Sequence, residues 1–376
     1  MDVSFLEPVF ATSGPVATVC ADVTHTTATA DTELELRVRA ITQRLTEQGA
    51  PAPVADTVRT RLLESNAGGE AGTLRGRALV VAADGDVVLD QALTDAPRRE
   101  VAEWSAQPDL LPVLRQLPGR VPHIVVLTDR TGADITFMGG PGQAHEEETV
   151  EGETFQIHKF PGGGWSQHRY QHNVENNWIA NADEVAARIA SMARRLSPQF
   201  VLVAGDVRAR QILTDRASGE WADLIVTMDE GGRAAGADRE PVDRRMNELI
   251  AEHEAREVAA VLEQLQSAGA HGLAVSGTGA VVEALRKGQV ETLVLADEPG
   301  DGTLLVGRSP LEVGVDQHDM DALGTHGQVV PADRALLAAA VASSAGVVVV
   351  PRSAMPGNTP VAAVLRYTDA STPTSD

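Results

Sequence analysis

The chain has 376 residues, 43% of them apolar, enough for two or three domains that each bury a core. Its formal charge of −22 favours solubility and argues against non-specific nucleic-acid binding by the protein as a whole, so any RNA contact must come from local basic patches. No apolar run nears the roughly 18 residues that cross a membrane, MDVSFLEPVF lacks a basic n-region, and Cys20 has no second cysteine to pair with, so a cytoplasmic address is the expectation.

In chain order, GPVATVCADV (14–23) reads as a strand, and ADTELELRVRAITQRLTEQ sets Leu34, Val38, Ile41 and Leu45 at helical spacing. The polar break ESNAGGEAG (64–72) precedes GRALVVAADGDVVLDQAL, where two β-rich runs flank Asp84-Gly85, a hairpin signal. LLPVLRQLPGRVP (110–122) predicts a short helix ended by Pro118-Gly119, a domain boundary. HIVVLTDRTGADITFMGG (123–140) gives two strands about the turn Asp129-Arg130-Thr131-Gly132. HEEETVEGE (145–153) reads as a solvated, mobile acidic linker, followed by the glycine loop PGGGWSQHRYQH (161–172) and a long helix near 174–196. FVLVAGDV (200–207) is an apolar strand, and a helix separates it from a further strand in LIVTMDE (224–230). Hairpin, helix, strand, helix, strand is an α/β pattern. Beyond GGRAAGADREP (231–241), a charged helix spans 242–267. GTGAVVEALRKGQVETLVLADE (277–298) then gives helix, turn at Lys287-Gly288 and strand, and LLAAAVASSAGVVVVP (336–351) repeats helix-then-strand. The last strand is PVAAVLRY (360–367), ahead of a polar tail expected to be disordered.

Most candidate chemistry has a simpler reading. Cys20 lies in an apolar strand with no basic neighbour, as a buried structural thiol does. GTGAVV resembles a dinucleotide fingerprint but has Val282 where the third glycine belongs, so a helix-start turn fits better. His158, His168 and His172 have no Cys or carboxylate among them, and no metal or other cofactor is expected. The glycine loop is different. It lacks the Gly-Lys-Ser/Thr ending of a phosphate loop, and Thr154 to His172 holds no acid, while Lys159 and Arg169 are basic. Trp165, His168 and Tyr170 can stack on unpaired bases, Arg169 can bind phosphate, and the glycines allow close backbone approach. Gln167 can orient a water or a carbonyl without titrating. The other reading of this loop is an ordinary surface loop. Lys159, Arg169, Arg194, Arg195, Arg208 and Arg210 are expected to form basic surface near the loop, with carboxylates elsewhere.

Three places carry a family resemblance. HIVVLTDRTGADITFM resembles the opening hairpin of a ribonuclease-H-like domain, PGGGWSQHRYQHN stands where that domain bears a catalytic Gly-Gly-Gln loop, and GAVVEALRKGQVETLVLADE with PVAAVLRY resembles a C-terminal domain related to kink-turn-binding ribosomal proteins. Together they resemble the archaeal and eukaryotic class-I release-factor superfamily, with Pelota, the Vms-type peptidyl-tRNA hydrolases and the bacterial branch that includes the Balon hibernation factors. The resemblance implies a three-domain α/β protein. Residues 1–118 would be an N-terminal domain facing the decoding centre, 119–231 the central domain with its loop 161–172, and 232–376 the C-terminal domain. It also implies occupancy of the ribosomal A site, with rRNA of both centres, peptidyl-tRNA and an elongation-factor GTPase as partners, and neither membrane nor DNA. Gly162, Gly163 and Gly164 would give flexibility, Trp165, Ser166, His168, Arg169, Tyr170, Lys159, Arg194 and Arg195 would meet RNA, and Gln167 would be the catalytic candidate. The loop departs from the family pattern in reading Gly-Trp-Ser-Gln, and residues 1–118 contain no Asn-Ile-Lys-Ser stretch for codon reading. The expected role is therefore hibernation or rescue of idle or stalled ribosomes under stress. The alternatives are peptidyl-tRNA hydrolysis through Gln167 and a protein of this fold acting away from the ribosome.

Overall fold

Near-continuous burial along β-rich runs in the first third of the chain builds a sheet covered on both faces. A computed structural model of the protein describes residues 2–24, 30–64, 75–93, 96–97, 99–116, 121–139, 146–151, 165–233 and 237–370, with the backbone course alone for 92, 165–178 and 220. Helix α1 (Glu7–Ala11) precedes β1 (Val16–Asp22), α2 (Ala30–Glu47) and α3 (Ala52–Glu64). Then come β2 (Gly76–Ala82), β3 (Val87–Leu93), β4 (Val101–Ser105) and α4 (Leu111–Gln116). The strands run β3-β2-β1-β4, with β2 and β3 joined by the expected hairpin at Asp84-Gly85. Ala17, Val19 and Ala21 face one way, against Leu34, Val38, Ile41 and Leu45 of α2 and Val54, Val58 and Leu62 of α3. Val16 and Cys20 face the other. Burial, with Asp109 nearby, pushes the Cys20 thiol up to about 12, so it stays protonated and inert.

The central residues form β5 (His123–Thr128), β6 (Gly132–Met138), β7 (Glu146–Glu151), α5 (Trp165–Leu196), β8 (Phe200–Gly205), α6 (Val207–Asp215) and β9 (Ile225–Thr227). Their order is β7-β6-β5-β8-β9, an antiparallel meander of three strands followed by two strands parallel to β5. This is the ribonuclease-H-like arrangement. Two sequence readings change here. The acidic run at 146–151 is a strand and no linker, because Glu146, Glu148 and Val150 alternate onto the α5 side, where Val150 is buried and both glutamates meet arginines. The long helix begins at Trp165 instead of near 174, so residues 165–172 are helical and the glycines stand directly before it. At 1.5 Å per residue its 32 residues span about 48 Å.

Helix α7 (Glu240–Ala270) leads to β10 (Ala274–Ser276), α8 (Thr278–Arg286), β11 (Val290–Ala296), β12 (Thr303–Val306), β13 (Val313–Gly314) and α9 (Gln317–Ala322). The chain continues through β14 (Gln328–Pro331), α10 (Ala332–Ala342), β15 (Gly346–Val350) and β16 (Val361–Leu365). One mixed sheet runs β10-β16-β11-β15, and a three-stranded sheet runs β13-β12-β14. GTGAVV is the start of α8, with Gly277 at its N-cap. By contacts, residues 1–118 and 257–376 make one unit and 119–256 a second. In the first unit, Leu6, Val80, Leu89 and Leu114 share a single apolar cluster with Val281, Leu285, Leu336 and Leu337. Arg334 of α10 reinforces that cluster with a fork onto Glu103 of β4, at 2.7 and 2.8 Å. No helix among the described residues is long and apolar enough to cross a membrane.

Candidate functional site

In the second unit the glycine segment falls, in sequence, between strand β7 and helix α5. Lys159, Gly162, Gly163 and Gly164, with His158, lie outside the described residues, as do Pro118-Gly119 and most of the polar break at 64–72. Trp165, Ser166, Gln167, His168, Arg169, Tyr170 and His172 occupy the first two turns of α5 by their backbone. The first four N–H groups of a helix have no intrahelical partner, and the N–H of Gln167 is one of them. Further along, Val185, Ile189 and Met192 bury one face of α5 against β5, β6 and β8. The opposite end is stapled to β7. Arg195 forks onto both carboxylate oxygens of Glu146 at 2.6 Å, and Arg188 reaches Glu148 at 2.8 Å. The hydrogen bond from Arg195 holds the Glu146 carboxyl below its ordinary range, and the same bond raises the guanidinium.

A polar cluster sits at the carboxyl ends of β5 and β8, where parallel strands of an α/β sheet leave a crevice. The Asp129 carboxylate accepts from the Thr131 amide and hydroxyl and from the Gly132 amide, the local turn that Asp-Arg-Thr-Gly encodes. Arg233 reaches in from beyond β9 to bind Asp129 at 3.5 Å and Asp134 at 3.0 Å. Asp206 caps α6 through the amides of Arg208 and Ala209, and Arg130 pairs with it at 3.3 Å. Asn181 of α5 donates to the Arg130 carbonyl. Burial opposes ionisation of both aspartates. Thr131, Arg233 and Gly132 outweigh it at Asp129, and Ala209, Arg130 and Arg208 outweigh it at Asp206, so both carboxyls sit below their ordinary range. Each acid is matched by an arginine, which makes the cluster a clamp between β5, β6, α6 and the segment after β9. Among the described residues, no group of three His, Cys, Asp or Glu could hold a metal ion.

The depressed pKa of Asp129 carries a sign that can be checked. Its stabilisation is full above the unfolded carboxylate value of about 3.9 and is lost as pH falls through the lower folded value. Asp129→Asn is therefore expected to cost ~1 kcal/mol at neutral pH, as a lost charged acceptor at a part-exposed site. The cost should shrink towards pH 3, and urea melts at the two pH values measure it. An equal loss at both would show that the carboxylate charge contributes nothing.

The basic surface near the loop expected from the sequence, with carboxylates elsewhere, is not what the described residues show. Arg210 is buried, donating to the Gly205 carbonyl and to Asp229, and Arg195 is occupied by Glu146. Arg194 is exposed on α5, and Arg208 is exposed at the start of α6. In a chain with 53 carboxylates against 31 basic residues, acids interleave with most arginines. The sequence reading had passed over Arg188, Arg233, Asp134 and Asp206. The Asp-Arg-Thr-Gly turn was legible, but the partners that converge on it come from 51 to 104 positions away.

Residues 122–271 match the family described as bacterial archaeo-eukaryotic release factor family 2. The chain is 27% identical over 342 residues to an uncharacterized protein of Mycobacterium tuberculosis, covering 90% of each. Among solved structures, Archaeoglobus fulgidus Pelota is 18% identical, covering 78% of this chain and 80% of that one, with a TM-score of 0.34. Ribosome-bound archaeal Pelota, described together with ABCE1, is 16% identical over 97% of this chain and 93% of that one, with a TM-score of 0.41.

Proposed function

We propose that this chain, whose residues 122–271 match bacterial archaeo-eukaryotic release factor family 2, is a ribosome-binding translation factor that occupies the A site of idle or stalled ribosomes. Its glycine tip would point to the peptidyl transferase centre, with rRNA as its main contact and an elongation-factor GTPase as a delivery partner. The observation that carries this reading is the position of Pro161–Gly164 directly before a helix about 48 Å long at 1.5 Å per residue, on a ribonuclease-H-like sheet. Such a helix is long enough to reach from the sheet it packs on to a distant centre. Trp165 and Ser166 separate the glycines from Gln167, which favours filling the site over chemistry in it. Hibernation or rescue is thus the role proposed.

One observation favours the hydrolytic reading. The backbone of Gln167 lies in the first turn of α5, whose N–H groups have no intrahelical partner, and a glutamine amide can orient an ester carbonyl or a water without titrating. A single pair of measurements separates the readings. The protein is expected to pellet with vacant ribosomes at low salt, Gln167→Ala is expected to bind equally well, and ribosome-bound peptidyl-tRNA is expected to keep its peptide. Release of peptide that Gln167→Ala abolishes would establish the hydrolase instead. Failure to pellet even at low salt, where phosphate contacts are strongest, would move the protein away from the ribosome.

A further inference from the structure

The acidic strand β7 and the arginines of α5 form a feature that the glycine tip does not explain. Arg188 and Arg195 are seven residues apart, two turns along one helix face, or about 10 Å at 1.5 Å per residue. Glu146 and Glu148 are alternate residues on one side of a strand, and so about 7 Å apart. Both arginines are more than half exposed, yet each is held by one of these carboxylates. β7 is an edge strand, bonded within its sheet to β6, and Val150 is its one buried side chain. Exposed ion pairs of this kind contribute little to stability and are screened by salt, so they exchange readily for another anion.

We propose that Arg188 and Arg195, with Arg194 beside them, are an RNA-phosphate-binding surface that β7 keeps occupied in the free protein, Glu146 and Glu148 standing in for two phosphates. The proposal rests on the ribosomal reading for its biological target but not for its chemistry. It resolves how a chain of charge −22 can bind RNA without a standing basic patch. The guanidiniums are present but masked, and a competing phosphate chain displaces the glutamates. The planar guanidinium can fork two N–H groups onto either a carboxylate or a phosphate, so the exchange needs no rearrangement of the donor. The masking also suppresses binding to stray polyanions until a ribosomal surface presents phosphates at high local density.

The test uses the full chain and a fluorescein-labelled 20-nucleotide polyuridine at low salt. The double variant Glu146→Gln/Glu148→Gln is expected to bind about tenfold more tightly than the parent, with a salt slope steeper by about 1.4, as two extra phosphate contacts give on a single strand. Adding Arg188→Gln and Arg195→Gln should remove the gain. Glu147→Gln/Glu151→Gln, on the same strand but its other side, makes the same charge change and should alter affinity less than twofold. Should the double variant fail to fold by circular dichroism, Glu146→Gln alone keeps the Arg188 pair and should give about a threefold gain. Unchanged affinity in the folded variant, a gain that survives loss of the arginines, or an equal gain in the control would each overturn the proposal. Ribosome pelleting of the same variants separates the two ideas. Gain on polyuridine without pelleting would leave the masked surface standing and remove the ribosomal reading.

Discussion

Gly205→Ala is expected to unfold the central unit or bring it close to that point. Gly205 ends β8 with φ of 120°, and a Cβ built there strikes the carbonyl oxygen of Thr128 on β5. These two residues are register partners in adjacent parallel strands, so the obstruction is backbone and cannot swing aside. The positive φ costs about 1–3 kcal/mol in a residue with a side chain, and forcing the strands apart adds about 1–3 more. Against a total stability on the order of 5–15 kcal/mol, that is a large fraction. The lesion also falls between Asp129 and Asp206, loosening the arginine-clamped cluster. Gly219→Ala is the control. It too has a positive φ, 68°, but nothing lies within 4 Å of its added Cβ, so about 1 kcal/mol is expected. Urea melts of both variants measure the contrast, and losses of similar size would mean that the strand contact yields without cost.

Arg334→Ala should have the second large effect, on the other unit. Arg334 is 13% exposed, forks onto Glu103, donates to the Gln107 carbonyl at 3.1 Å and stands 3.8 Å from Asp109. Its removal leaves Asp109, 8% exposed, with the largely solvent-exposed Arg99 as an ion-pair partner. Stranding a buried carboxylate in this way costs about 3 kcal/mol. The pH dependence is the more specific signature. Burial already raises the pKa of Asp109, and Arg334 is the strongest influence holding it down. A carboxyl with a raised folded pKa loses stability as pH rises through that value, and without Arg334 the value climbs further. The deficit of the variant should therefore be larger at pH 7 than near pH 4. Thermal melts at both pH values decide it, and a deficit that does not change with pH would assign the effect to lost packing alone.

Arg334 also shows why the organisation was only partly legible. Glu103 and Arg334 are 231 positions apart, and nothing near either marks the other. Residues 1–118 and 232–376 read as separate domains because each has its own run of strands and helices. The contacts join most of the second to the first, because apolar residues of α8 and α10 share one cluster with Leu6, Val80, Leu89 and Leu114. The glycine segment itself was legible as a motif, and its place before a long helix was too. The start of that helix was not. Pro161 and the three glycines pull the local signal towards a loop, and the backbone nonetheless runs helical from Trp165. The run HEEETVEGE misled more sharply. Charge density suggested a solvated linker, while the alternation of Glu146, Glu148 and Val150 was the strand signal that mattered.

What the sequence determined by itself was what depends on near neighbours. The stripe Leu34, Val38, Ile41 and Leu45 makes a helix, Asp84-Gly85 turns a hairpin, and Asp129 folds back on Thr131 and Gly132, since each interaction closes within a few residues. The tertiary structure decided the state of the charges. Whether an arginine is open to RNA, locked in a clamp or masked by a strand depends on which carboxylate the fold brings to it. With Arg195 held by Glu146 and Arg210 buried against Asp229, composition could count those charges but not assign them.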